Sequence, residues 1–349
     1  MSERILGVEG GGTKTAWVLV ERVDDALQVV DRGRLPASIF SLTPIDRLRS
    51  ILRQLPAEVD RVGIFLAGCG PDDRRSLELL CAEIWPRARI VAGGDRESDL
   101  AAALGRGDGI AVNAGTGSSV TGRRGDRIEK AGGWGHILGD TGGGYFISVQ
   151  ALRLILREYD LHRGAADLTA VILRALALNN RDEMVRWAQT ADKMQIAALT
   201  PIVFEAGMNG EPNAVKIIEE GAAVLSEYTE AVATRLHLLA PKVMLLGGLF
   251  QRDSIYTHAY RRKLKKNMPD ARVAMSEQSP EFGAAWLAAE TEGRIETPAR
   301  TREGDVAELS AALTEQRNPR SENLEKLGAR ELVELFLAEE TFVGEALRE

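Results

Sequence analysis

Short apolar runs and longer stretches with apolar residues every three or four positions alternate along the chain. Residues 4–9 (RILGVE) and 16–20 (AWVLV) are apolar runs on either side of GGGTKT, which predicts strand, glycine turn, strand. Val29-Val30 predicts a third strand, and LPASIFSLTP reads as a loop. Ile45, Leu48, Ile51, Leu52 and Leu55 recur at helical spacing within residues 44–55. RVGIFLAG (61–68) predicts a buried strand, residues 73–84 a helix, and RIVAGG (89–94) a further strand. This half therefore predicts β-β-β-α-β-α-β, an α/β layer.

A second set opens at residue 109. GIAVNA and SSVTGRR bracket another glycine turn, AGTGS, so strand, Gly-Thr turn, strand occurs twice, roughly a hundred residues apart. Two such units facing each other would set two phosphate-cradling turns across a cleft. From Phe146 to about Leu239 the spacing is helical almost throughout, with Pro212 suited to a first helical turn. KVMLL (242–246) returns to strand before Gly247-Gly248, SPEFGAAWLAAE (279–290) predicts a closing helix, and residues 291–312 read as a linker.

Composition fits a globular protein: of 349 residues, 44% are apolar and 27% charged, enough for sizeable cores. No run approaches a membrane span, and MSERILGVEGGG has no basic-then-apolar leader, so no membrane partner and a cytoplasmic setting are expected. Cys69 and Cys81 are too few for a disulfide framework or a Cys-rich metal site. The net charge of −7 is concentrated in the tail, where acids outnumber bases twelve to seven over residues 297–349. Clustered Lys and Arg of the kind that binds nucleic acid are missing. The one basic knot, Arg261 to Lys266, lies in a helical pattern and reads as a solvated face.

The candidate chemistry lies in the glycine turns. GVEGGGTKT is no P-loop: Thr13, not Lys, follows Gly12, and the turn leads into a strand. Its backbone N–H groups can still converge on an anion, with Thr13 adding a hydroxyl and Glu9 facing a magnesium ion. A plain tight hairpin is the competing reading, and AGTGSS (114–119) is ambiguous in the same way. Asp95 follows a buried strand and Gly93-Gly94, where α/β sheets open onto clefts; it is either a general base or the N-cap of the helix at DLAAAL, a cap Ser98 could also provide. Asp140 is either a hydrogen-bond acceptor for a ligand or turn chemistry. Trp134 is a ligand platform or core, and His136 reads as structural.

Taken together, the two hairpins and the late Gly-Gly resemble the actin, hexokinase and Hsp70 ATPase superfold. More narrowly, residues 4 to about 290 resemble the N-acetylglucosamine kinase group of the BadF/BcrA-type ATPases, through GVEGGGT, NAGTGS and above all GGWGHILGDTGGGYFI (132–147). The resemblance implies two RNase H-like α/β domains (1–112 and 113–290) around a nucleotide cleft, the second enlarged by helices and its last helix packing back on the first. It implies ATP with Mg2+, an amino-sugar substrate and a homodimer. By the same resemblance Gly11, Gly12, Thr13, Gly115, Thr116, Gly117, Gly247 and Gly248 hold nucleotide, Asp95 is the base, and Gly133, Trp134, Gly135 and Asp140 contact sugar.

Three departures bear on the substrate. Ser38 stands where relatives place a sugar-binding Asn. GDEGS becomes GDTGGG, which removes an acid and predicts a looser lining. Glu9 replaces the Asp usual in the superfold, as in the kinase group. Residues 313–347 (LTEQRNPRSENLEKLGARELVELFLAEETFVGEAL) resemble the beginning of N-acetylmuramic acid 6-phosphate etherases. That implies a kinase–etherase fusion cut near its junction, a place in peptidoglycan recycling, and phosphorylation of N-acetylmuramic acid. Arg96 would then meet the lactyl carboxylate. The competing classes are an ATPase activator of a radical dehydratase, which would need cluster-binding cysteines, and a non-catalytic sugar sensor.

Overall fold

The computed structural model describes residues 2–291 except Asp25 and 251–253. The expected linker after Thr291 and the etherase-like segment lie outside the described residues. The first lobe runs β1 (Glu3–Gly10), β2 (Lys14–Val23), β3 (Ala26–Pro36), α1 (Ile45–Leu52), β4 (Arg61–Leu66), α2 (Arg74–Ile84), β5 (Arg89–Gly93) and α3 (Asp95–Leu104). Its five-stranded sheet has the order β3-β2-β1-β4-β5, an antiparallel meander continued by two strands parallel to β1. β1 and β4 are covered on both faces and therefore read as continuous apolar runs. β3 is much longer than Val29-Val30 suggested. It is the edge strand, and its Asp and Arg side chains stay in solvent, so apolar periodicity does not mark its length.

The second lobe begins with β6 (Gly109–Ala114), β7 (Ser118–Arg124), β8 (Arg127–Gly132) and the short α4 (Gly135–Leu138). The helical stretch follows as α5 (Gly144–Asp160), α6 (Ala166–Ala175), α7 (Arg181–Thr190), α8 (Lys193–Ala197), α9 (Thr200–Met208) and α10 (Pro212–Arg235). It closes with β9 (Lys242–Leu246), α11 (Ile255–Asn267), β10 (Arg272–Met275) and α12 (Pro280–Glu290). The second sheet, β8-β7-β6-β9-β10, repeats the first strand for strand, meander and parallel extension included. β6 belongs wholly to this sheet, so the expected boundary at residue 112 falls inside a strand; the connection before Gly109 is the divide. Among the described residues no helix is long and apolar enough to cross a membrane.

Two helices position the site. α12 follows the second sheet in sequence but packs on β1 and β4 of the first, closing a core with Ile5, Val18 and Val20 through Ala285, Ala288 and Ala289. A Cβ at Gly7 or Gly63 would overlap the carbonyls of Glu281 or Ala284, so only glycine lets the helix lie this close. α3 is held between α12 and the second sheet. Gly283 lets α12 meet it backbone to backbone, while Leu100 and Ala103 pack with Ala111, Met244 and Leu246. The helix that begins at Asp95 is thus fixed against both lobes.

Candidate active site

The two Gly-Thr turns, far apart in sequence, meet in space. The Thr13 and Thr116 hydroxyls lie 2.5 Å apart across the lobes. Each turn is closed by its own backbone, with Gly11 N–H donating to the Lys14 carbonyl at 3.0 Å and Gly115 N–H to the Gly117 carbonyl at 2.9 Å. The second turn is also braced from α5, whose first amides, Gly144 and Tyr145, donate to the carbonyls of Gly115 and Thr116 at 2.8 and 3.0 Å. Gly143 lies directly against Gly117: a Cβ there would sit 2.6 Å from the Gly117 carbonyl carbon. The expectation of a loose lining is therefore corrected. The extra glycines of GDTGGG make the segment tight, because backbone packs on backbone. Gly247, at φ 91°, turns the chain out of β9 beside Ala114, whose carbonyl accepts from Leu249 N–H at 3.0 Å. Gly247 and Gly248 thus adjoin the second Gly-Thr turn.

Asp95 is the first residue of α3 and not its cap. The cap position is Gly94, whose N–H donates to the Glu97 carboxylate at 3.2 Å, while Ser98 donates its hydroxyl to the Asp95 carbonyl at 2.7 Å. The Asp95 carboxylate is left for other work. Burial pushes its pKa up and Asp140 adds to this, against the neighbouring Arg96 charge and the amides of Arg96 and Asp95 itself. One turn further on, Asp99 is buried and accepts a hydrogen bond from Asn113 Nδ2 of β6 at 2.8 Å. Burial, and then the Asp95 charge, push Asp99 up to about 7. Glu9, at the end of β1, is raised well above the usual carboxylate range by burial and by Asp99, Asp95 and Glu281, with Lys14 opposing.

Asp140 sits at φ 52° and is buried, its carboxylate against Gly117. Lys193 Nζ of α8 pairs with it at 3.2 Å. Arg96 reaches from α3 to the second lobe and donates to the Gly133 carbonyl at 2.7 Å and the Gly132 carbonyl at 3.4 Å. Trp134 is no core residue: it is 63% exposed, with Lys130 Nζ 4.8 Å above its ring, and Gly135 beside it opens α4. His136 meets Tyr145 edge-on at 4.9 Å, and burial and Lys193 lower its pKa, which keeps the ring neutral. Ser38 is fully buried behind Gly10, its hydroxyl 2.7 Å from Thr15 Oγ1, so in this structure its polar group is directed to β2.

The structure thus brings the glycine turns, Glu9, Asp95, Arg96, Asp140 and the Gly133–Gly135 loop close together where the lobes meet, with Ser38 behind Gly10. Sequence reasoning missed Lys193, Lys130, Asp99 and Asn113. Asp99 alone carried a signal, a second aspartate one turn beyond Asp95, immediately before the apolar run LAAAL. Cys69 and Cys81 are both buried, and burial pushes the Cys69 thiol up to about 12, which disfavours a metal-binding thiolate.

An N-acetylmuramic acid/N-acetylglucosamine kinase of Clostridium acetobutylicum is 28% identical over 301 residues, covering 81% of this chain and 97% of that protein. An N-acetyl-D-glucosamine kinase of Dictyostelium discoideum is 27% identical, covering 82% and 98%. The crystal structure of a Chromobacterium violaceum protein, provisionally named an N-acetylglucosamine kinase, superposes with a TM-score of 0.64 at 25% identity, covering 82% of this chain and 99% of the other. Residues 6–288 match the family model itself, and the chain belongs to the BadF/BadG/BcrA/BcrD ATPase family.

Proposed function

We propose that this chain is an ATP-dependent kinase that phosphorylates the 6-hydroxyl of an N-acetylhexosamine, with N-acetylglucosamine and N-acetylmuramic acid as substrates. The observation that carries the reading is the meeting of Thr13 and Thr116 across two backbone-lined turns, with Asp95, which does not cap its helix, on a helix held against both lobes. Phosphoryl transfer asks mainly for positioning and charge neutralisation, plus an acceptor for the hydroxyl proton. The turns supply N–H and hydroxyl donors for the phosphates. Asp95 accepts the proton as the sugar oxygen bonds to the γ-phosphorus and the bond to the ADP oxygen breaks. Its raised pKa brings it closer to a working base than an ordinary aspartate.

The Gly133–Gly135 loop, held by Arg96, forms the sugar side, with the exposed Trp134 face for the pyranose and Asp140 as hydroxyl acceptor. Mg2+ fits the acidic end of β1: a divalent cation beside Glu9 would offset the burial, and then the acidic neighbours Asp99, Asp95 and Glu281, that raise its pKa. Among the described residues no cluster of three or more metal-ligating side chains is present, so such an ion would rest chiefly on phosphates and water. When bound it neutralises charge on the transferring group. The likeness of residues 313–347 to the etherase beginning supports N-acetylmuramic acid as a substrate and cell-wall sugar salvage as the setting.

The test is ADP release with ATP and magnesium on N-acetylmuramic acid, N-acetylglucosamine, glucose and no sugar. Turnover on an N-acetylhexosamine, reduced by at least about a thousandfold in Asp95→Asn with sugar and ATP binding retained, is expected. Equal turnover with and without sugar, or an unimpaired Asp95→Asn, overturns the reading.

A further inference from the structure

Lys193 lies between the two phosphate turns, although it belongs to neither in sequence. It starts α8 in the helical part of the second lobe, and its side chain is 21% exposed. Its ammonium pairs with Asp140 Oδ2 at 3.2 Å, and that carboxylate rests on Gly117 of the second turn. On the other side, a Cβ built on Gly12 of the first turn would lie 3.6 Å from the same Nζ. The ammonium therefore sits within contact range of the glycine tip of one turn and, through Asp140, of the other. Lys14, the cation written into the first turn itself, instead favours the Glu9 carboxylate.

We propose that Lys193 contacts the γ-phosphoryl group of bound ATP and stabilises the charge that builds on it during transfer. The proposal rests on the kinase reading for its chemistry and on the Gly12–Lys193–Asp140–Gly117 arrangement for its geometry. The sugar hydroxyl gives its proton to Asp95, the new O–P bond forms, the β–γ bridging bond breaks, and ADP leaves. Asp140 holds the ammonium in place, which limits the reorganisation needed to meet a phosphate. An anion in a partly desolvated cleft gains far more from such a cation than one in water.

The experiment compares the native chain with Lys193→Met and Lys193→Arg. Binding of ADP and of the β,γ-imido ATP analogue is measured by calorimetry with magnesium, alongside kcat and both KM values, with circular dichroism as a folding check. Lys193→Met is expected to lose about tenfold in affinity for the analogue but little for ADP, and a hundredfold or more, on the order of an oxyanion donor, in kcat. Sugar KM is expected to hold within about threefold, and Lys193→Arg to recover part of kcat. Equal losses for ADP and the analogue, or a defect confined to sugar KM, would show that Lys193 only neutralises Asp140 and would sink the proposal. If the native chain turns over no sugar, the kinase reading fails separately, and the ADP-versus-analogue comparison still decides whether Lys193 reads a γ-phosphate. Should Lys193→Met not fold, the same split is read in Lys193→Gln, where a kcat, KM and binding profile identical to native overturns the assignment.

Discussion

Replacing Asp99 by asparagine isolates the electrostatic cost of the carboxylate packed behind the proposed base. Asp99 is 4% exposed, accepts from Asn113 Nδ2, and faces Asp95 and Arg96 on its own helix and Glu9 at the end of β1. Asparagine keeps an acceptor for Asn113 and removes the charge. The native pKa is raised from 3.8 to about 7, so the folded state holds a proton that the unfolded state releases. Stability is therefore greatest below the unfolded value and falls as pH rises through the window from 3.8 to about 7. Over the whole window the linkage amounts to about 4 kcal/mol, of which about 2 kcal/mol falls between roughly pH 5.5 and pH 8.5. Urea unfolding of native and Asp99→Asn chains at those two pH values gives a double difference in which unrelated titrations cancel. The variant is expected to gain on native by about 2 kcal/mol at the higher pH, with the exact figure shared among the coupled acids Asp95, Glu9 and Asp99. Parallel pH dependence in the two proteins, or a variant that loses ground as pH rises, would refute the argument that this carboxylate is desolvated and uncompensated.

Two further outcomes follow from the site. Gly143→Ala sets a methyl against the Gly117 backbone, which cannot yield without moving the second Gly-Thr turn; a loss of about 1–3 kcal/mol and, if that turn holds phosphate as proposed, a raised ATP KM are expected, and an unchanged melt with unchanged KM would show that the turn gives way freely. Lys130 lies over Trp134, and its pKa is lowered first by burial and then by the Arg96 charge; the two cations flank the Gly133–Gly135 loop proposed to meet the sugar. Lys130→Met should reduce kcat/KM about tenfold for N-acetylmuramic acid, which carries a lactyl carboxylate, and leave N-acetylglucosamine within about twofold. Equal effects on both sugars would remove Lys130 from carboxylate recognition.

What the sequence disclosed depended on whether the physics was local. The two hairpins were legible because strand, glycine turn and strand are adjacent along the chain, whereas β8, which completes the second meander, was not predicted. β3 was marked only by Val29-Val30, because an edge strand has no buried face to enforce alternation along Asp31, Arg32 and Arg34. Gly142 to Gly144 invited the expectation of slack, since glycine in isolation signals freedom. The facing backbones of Gly117 and Gly221 turn the same residues into a close-packed wall, and no local pattern could announce those partners. Asp95 was singled out by its place after Gly93-Gly94 and a buried strand and by the kinase-group resemblance, yet its separation from the cap depended on Glu97 reaching back to Gly94. Lys193 is the extreme case. Nothing around DKMQIA separates it from a solvated helix start, and only the folding of α8 against α5 brings its ammonium to Asp140 and the tip of the first turn. A charge used across a cleft is specified by the tertiary fold. The residues hardest to read from sequence are therefore those that couple the two lobes, and Asp99, Arg96 and Lys193 each join an element of one lobe to an element of the other.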